Sequence, residues 1–305
     1  ENSKKDKSVI FELPSGHELI INPDLPEGLS EDEVLFRPSI KQMLFLESSE
    51  QEVLYGGSAG SGKSYALLAD AARYFGMKSF NGVIIRRTLP ELTELIWESH
   101  ELYKPLIKAR YGREPKWNEK EKTWTFPAGG HMLFSYCEQE KDILNYQGKA
   151  FTWIGFDELT QHPTPAAWNY LRGRLRTKDP EMKEFLCMRA ATNPGGPGHG
   201  WVKKMFIDPA PPNEAFPATD EDGNPLLVPF GDKEFPKERW GTPMFYRKFV
   251  SAKLTDNPYL GFEYRANLLS LPEAQRRQLL EGDWNSPDGA AFYEFRRNIH
   301  TCKPF

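Results

Sequence analysis

Gly57-Ser58-Ala59-Gly60-Ser61-Gly62-Lys63-Ser64 decides how this chain of 305 residues is read. It satisfies G-x-x-x-x-G-K-[ST] at every fixed position, the pattern of a phosphate-binding loop. Glycines let the backbone curl until successive N–H groups converge on phosphate oxygens, and the following helix adds its positive N-terminal end. Residues 57–62 are thus expected to cradle the phosphates of ATP, Lys63 to reach the β and γ phosphates, and Ser64 to bind Mg²⁺. A chance match in a chain of this length arises on the order of one time in a hundred. The setting argues further against chance: the apolar run Glu52–Tyr55 precedes the glycines, and apolar residues at helical spacing follow over Ser64–Tyr74.

Downstream, apolar runs keep alternating with helical patterns. Val83-Ile84-Ile85 precedes Arg86-Arg87 and a helix expected from Leu89 to about Leu106. Thr123–Phe126 and His131–Tyr136 read as a hairpin through Ala128-Gly129-Gly130. A strand is expected at Phe151–Phe156, a helix around Ala166–Arg174, another strand at Phe185–Ala191, and then the glycine-rich Asn193–Gly198. This alternation predicts an α/β fold, a P-loop nucleotide-binding core with a mainly parallel sheet flanked by helices. Residues 1–35, polar and broken by prolines, read as an arm with one strand at Val9-Ile10-Phe11. The core is assigned to 36–208. A Pro/Asp/Gly-rich excursion from Asp208 to about Thr242 opens a small helical lid subdomain over 209–284, and 285–305 reads as a linker.

Phe151–Glu158 is an apolar strand ending in two carboxylates. In phosphate-loop enzymes the first such acid, here Asp157, holds Mg²⁺, and the second, Glu158, polarises the attacking water as general base. A competing reading has the pair merely capping the next helix. Thr192 and Asn193 end the next strand with groups able to sense a γ phosphate, although Asn193-Pro194 also reads as an ordinary turn.

Composition narrows the field. A 39% hydrophobic and 27% charged chain has the balance of a globular protein, and a net charge of −4 argues against a surface coated in positive charge for static nucleic-acid binding. Cys137, Cys187 and Cys302 form neither a CxxC motif nor a Cys/His cluster, which points to a reducing, cytoplasmic setting. No apolar run approaches the roughly 20 residues that cross a bilayer, and the N-terminus has no signal-peptide core, so no membrane role is expected.

Taken together, the segments from about Phe36 to Phe295 resemble the ATPase domain of the large terminase subunit of tailed bacteriophages. Pro38-Ser39-Ile40-Lys41-Gln42 resembles the adenine-contacting segment, with Gln42 as reader, and Thr192-Asn193-Pro194 resembles the coupling motif, which favours the sensing role over the plain turn. Leu254-Thr255-Asp256-Asn257-Pro258 and Leu280-Glu281-Gly282-Asp283-Trp284 resemble the segments that close the ATPase region and lead toward a nuclease domain, for which a chain ending at Phe305 leaves no room. Ser58 and Ala59 stand where many relatives carry an arginine, and Arg86 resembles a family arginine that faces nucleotide within its own subunit.

The resemblance implies an ATP-driven motor that moves double-stranded DNA into a procapsid. Its implied partners are a portal protein, a small terminase subunit and copies of itself in a ring of expected five-fold symmetry, in the host cytoplasm. For the arginine inserted by a neighbouring subunit, the segment before Asp157 offers only Lys149, which leaves Arg172, Arg174 or Arg176 as candidates, and Lys203, Lys204, Arg172 and Arg176 are candidates for DNA phosphates; each also reads as a solvated charge. Two rival readings are a helicase-like motor and an assembly protein gated by nucleotide with little hydrolysis.

Overall fold

The computed structural model describes residues 36, 38–220, 222–257 and 262–285, together with the paired strands β1 (Val9–Glu12) and β2 (Glu18–Ile21). The sequence predicts one strand in the arm; two pair antiparallel, with Val9 opposite Ile21. Then come α1 (Ile40–Leu46), β3 (Glu52–Gly57), α2 (Lys63–Ala72), β4 (Asn81–Arg86) and α3 (Leu89–Tyr111). β5 (Lys116–Asn118), β6 (Thr123–Thr125), β7 (His131–Tyr136), β8 (Trp153–Asp157), α4 (Ala166–Arg172) and α5 (Pro180–Lys183) follow. The remainder is β9 (Cys187–Thr192), α6 (His199–Val202), β10 (Ala215–Pro217), β11 (Tyr246–Ala252), α7 (Phe262–Leu269) and α8 (Glu273–Leu279).

Strands β3 to β11 form one sheet in the order β10-β11-β3-β9-β8-β4-β7-β6-β5. From β11 to β7 every neighbouring pair is parallel, while β10 and the β5–β6 hairpin add antiparallel edges. A parallel sheet is covered on both faces, so its strands read as near-continuous apolar runs. All six residues of β3 are buried accordingly. Its alternation divides the core: Val53 and Tyr55 pack with Ala66, Leu67, Leu95 and Tyr103 of α2 and α3, while Leu54 packs with Phe156, Trp168 and Phe206 on the other face.

Helix α3 runs five residues past the expected end at Leu106, through Pro105, to Gly112 in the left-handed region (φ 68°). Proline removes one backbone bond from the ladder. Burial of Leu102, Tyr103 and Ile107 against the core holds the helix across that gap.

The helical lid expected over 209–284 is corrected by the structure. β10 and β11 belong to the main sheet, and among the described residues α7 and α8 are the α-helices that follow them, after a 3-10 turn at Leu254–Asp256. β11 lies parallel to β3 in a register that sets Arg247 against Glu52 and Ala252 against Gly57. Its pattern is hidden in the sequence because Arg247, 2% exposed, occupies an inward position. Burial is tolerated there because Arg247 Nε donates to Glu52 Oε2 at 2.7 Å, and Arg172 donates to the same carboxylate. Among the described residues no helix is long and apolar enough to cross a membrane.

Removing one partner of a buried ion pair leaves an uncompensated charge and costs about 3–5 kcal/mol. Glu52→Gln should therefore lower the unfolding free energy by about that amount in urea titrations. A loss below about 1 kcal/mol would mean that water already reaches Arg247.

Candidate nucleotide site

The phosphate loop joins β3 to α2, as its sequence requires. Gly57, Gly60 and Gly62 all have positive φ, at 147°, 71° and 73°. At Gly57 the demand is absolute: a Cβ there would stand 1.8 Å from the Ala252 carbonyl oxygen. That carbonyl also accepts the Ser58 N–H at 3.0 Å. The loop closes around its own lysine, with Lys63 Nζ donating to the Ser58 carbonyl at 2.6 Å and to Ser61 Oγ at 3.1 Å. Burial lowers the Lys63 amine to about 8, against the pull of Glu158 and Asp157.

Strand β9 lies between β3 and β8, so the acids stand two strand spacings from the loop strand, roughly 10 Å. Ser64 at the start of α2 spans the gap, its hydroxyl donating to Asp157 Oδ1 at 3.0 Å. Arg86, at the end of β4 on the far side of β8, donates to Asp157 Oδ2 through Nε at 2.7 Å and Nη2 at 2.5 Å. Burial works against the Arg86 charge, yet Asp157, through its charge and hydrogen bond, together with Glu158 and Glu98 offsets this and raises the affinity of Arg86 for the proton. Glu158 is held in the left-handed region (φ 54°), a conformation that costs a non-glycine residue of order 1–3 kcal/mol. Burial, then the Asp157 charge, push its carboxyl above the usual range.

Ser64 and Asp157 are hard oxygen donors of the kind Mg²⁺ takes with phosphate and water. Among the described residues no group of three or more His, Cys, Asp or Glu side chains could hold a metal alone. A cation here would thus need the nucleotide's own oxygens to complete its shell.

The two residues after β9 divide their work. Thr192 is fully buried, its hydroxyl shared with that of Thr160 at 2.7 Å, so it braces the loop after Glu158. Asn193 Nδ2 donates to Glu158 Oε1 at 3.2 Å. Gln42 is likewise committed: its Oε1 accepts from the Ser39 N–H and its Nε2 donates to the Gly62 carbonyl at 2.9 Å, stapling α1 to the loop.

Several neighbours escaped sequence reasoning. Asn257 Nδ2 donates to the Gly60 carbonyl at 2.6 Å, the Leu279 carbonyl accepts the Ala59 N–H at 2.7 Å, and Gly282 abuts Ser58. On α3, Glu98 is pushed up to about 7 by burial and by Asp157. Burial, then the Glu158 charge, raise the Tyr264 phenol of α7. Only the two C-terminal motifs hinted that residues beyond 250 close this site.

A family model described as "Terminase large subunit, T4likevirus-type, N-terminal" matches residues 54–299. The chain belongs to this family. Its fold is similar to that of the large terminase from the thermophilic bacteriophage D6E, at 17% identity and TM-score 0.56 over 81% of this chain and 54% of that one. The D6E terminase in complex with ADP matches at 16% identity and TM-score 0.57, covering 88% of this chain and 59% of that one. The large terminase ATPase domain of Thermus phage P74-26 matches at 14% identity and TM-score 0.53, covering 82% of this chain and 94% of that one. The chain thus spans little more than half the length of the D6E large terminase. A search of curated proteins finds no match.

The basic residues singled out for neighbours of this terminase chain do not gather at its nucleotide site. Arg172 is spent on Glu52, which corrects its reading as an inserted or DNA-facing arginine. Lys203 pairs with Asp208. Arg174 lies over the Tyr170 ring at 4.7 Å, Lys149 over Tyr146 at 5.6 Å, and Lys204 and Arg176 are exposed.

The state of Lys63 gives a pH signature. Its amine is lowered to about 8 in the free site, and a bound phosphate restores the charge. Nucleotide binding should therefore take up almost no proton at about pH 7 and most of one by about pH 9, with affinity falling as pH rises. Calorimetry in two buffers of unequal ionisation enthalpy measures this uptake; none at about pH 9 would place the lysine charge outside the binding equilibrium.

Proposed function

We propose that the chain hydrolyses ATP at this site and is the motor part of a large terminase that drives double-stranded DNA into a procapsid. The observation that carries the reading is the bond between Ser64 and Asp157, because it sets the end of the phosphate loop against the acid-bearing strand with Glu158 next in line.

Residue roles follow from position. The N–H groups of 57–64 bind phosphate, Lys63 turns from the Ser58 carbonyl to the β and γ phosphates, and Gln42 keeps the loop's edge fixed beside the base. Ser64 and Asp157 would hold Mg²⁺, which when bound offsets phosphate charge. Glu158 takes the proton of the attacking water, and its raised proton affinity suits a base at neutral pH. Arg86 neutralises Asp157 and stands ready beside the phosphates. Asn193 orients the Glu158 carboxylate and follows it when the γ phosphate leaves.

DNA would be held through backbone phosphates, since a packaging motor serves any sequence. The assembly proposed is a ring of about five copies on a portal, supplied with DNA by a small terminase subunit and docked transiently on the procapsid in the host cytoplasm. The family match and the fold shared with the D6E terminase, crystallised with ADP, support this reading.

Glu158→Gln keeps the shape of the site and removes the base. Turnover of ATP should fall about 10²–10⁴-fold while the affinity for a non-hydrolysed analogue changes little. Unchanged turnover would refute the base assignment, and no turnover by the intact chain with its partners would favour a nucleotide-gated assembly role.

A further inference from the structure

The glycine turn after β9 is gripped from two sides. On one side it lies against the residues that follow Glu158: the Gly198 N–H donates to the Thr160 carbonyl at 2.7 Å, and a Cβ on Gly198 would stand 2.1 Å from the His162 carbonyl oxygen. On the other side stands His199. Its Nδ1 accepts the Gly195 N–H at 2.9 Å, so Nδ1 carries no proton and Nε2 does, donating to the Trp284 carbonyl at 3.2 Å. The imidazole also stacks on the Trp284 indole, with centroids 5.3 Å apart and planes 24° from parallel.

Trp284 leads directly to the phosphate loop. Its indole covers Gly56, where a Cβ would stand 3.1 Å from the ring, and two residues earlier Gly282 leaves only 2.9 Å between such a Cβ and the Ser58 nitrogen. Asn193, at the head of the turn, binds Glu158 through Nδ2 while its buried Oδ1 has no partner, so its amide has a further bond to make.

We infer that His199 is a positioning residue for ATP hydrolysis, tying the glycine turn beside Glu158 to the segment under Gly56–Ala59 so that displacement of either reaches the other. The inference rests on the ATPase reading above. A single imidazole suits the task because it is rigid and offers an acceptor and a donor on adjacent corners. Neither bond touches nucleotide, so its loss should slow the chemical step and leave ATP affinity alone.

The test uses two substitutions that each keep one bond. His199→Asn retains an acceptor for Gly195 and loses Trp284; His199→Gln retains a donor for Trp284 and loses Gly195. Both should lower kcat roughly tenfold with KM for ATP within about twofold, the scale of an ordinary coupling between sites. Both should also abolish the Trp284 share of the fluorescence change produced by ADP, defined as the difference between the parent chain and Trp284→Phe. Parent-like kcat and fluorescence in His199→Asn would reduce the imidazole to a cap on the turn and overturn the proposal. A fall in Tm above about 10 °C in both variants would assign His199 to stability alone and overturn it equally. Absence of ATP turnover in the parent chain would sink the ATPase reading instead, and the ADP fluorescence arm would still report on the link.

Discussion

Everything at the nucleotide site depends on how closely Ala252 approaches Gly57. No other side chain fits between the end of β11 and the start of the loop, and the Ala252 carbonyl takes the Ser58 N–H that the loop would otherwise leave unpaired. A buried donor without a partner costs about 1–3 kcal/mol, so the contact both permits and requires the loop's entry angle. From that point the chain passes to Asn257, Leu279 and Gly282, which bind or abut Gly60, Ala59 and Ser58 in turn. The outer wall of the loop is thus hung from a strand that the loop itself positions.

The charged groups of the site are paired with one another. Two adjacent carboxylates meet two cations: Asp157 is shared by Arg86 and Ser64, and Lys63 is folded back on loop oxygens within reach of both acids' fields. Each of these groups has a partner within the site, Glu158 through Asn193. On the proposed reading a phosphate would give Lys63 a better partner than a carbonyl, since hydrogen bonds to ionised acceptors are roughly twice as strong as neutral ones. Glu158 combines a left-handed backbone with a carboxylate that accepts a hydrogen bond from Asn193.

What was legible in the sequence was local. The loop, the Asp157-Glu158 pair and the alternation of strand and helix each occupy a few consecutive residues, and each expected element is found within one or two residues at its ends, except α3, which runs five residues further. What stayed hidden depends on partners far along the chain. β11 reads as polar at Arg247 until Glu52, 195 residues away, is known to lie beneath it. Thr192 and Gln42 carry donors suited to a ligand, but Thr160 and Gly62 claim them. Arg172 offered a free charge for the same reason: its acceptor is invisible in its own neighbourhood. α3 outran its proline because tertiary burial outweighed a single lost bond.

The pairing of β11 with β3 also has a temporal side. The loop motif is complete by Ser64, yet its neighbour in the sheet ends at Ala252 and its outer wall at Trp284. Contacts that span so much chain close late, since loop entropy is lost before they form. A chain still emerging from the ribosome therefore carries an intact motif with no wall behind it. The contacts that wall the loop arrive with the last fifth of this sequence, so a truncated product would carry the motif without its wall.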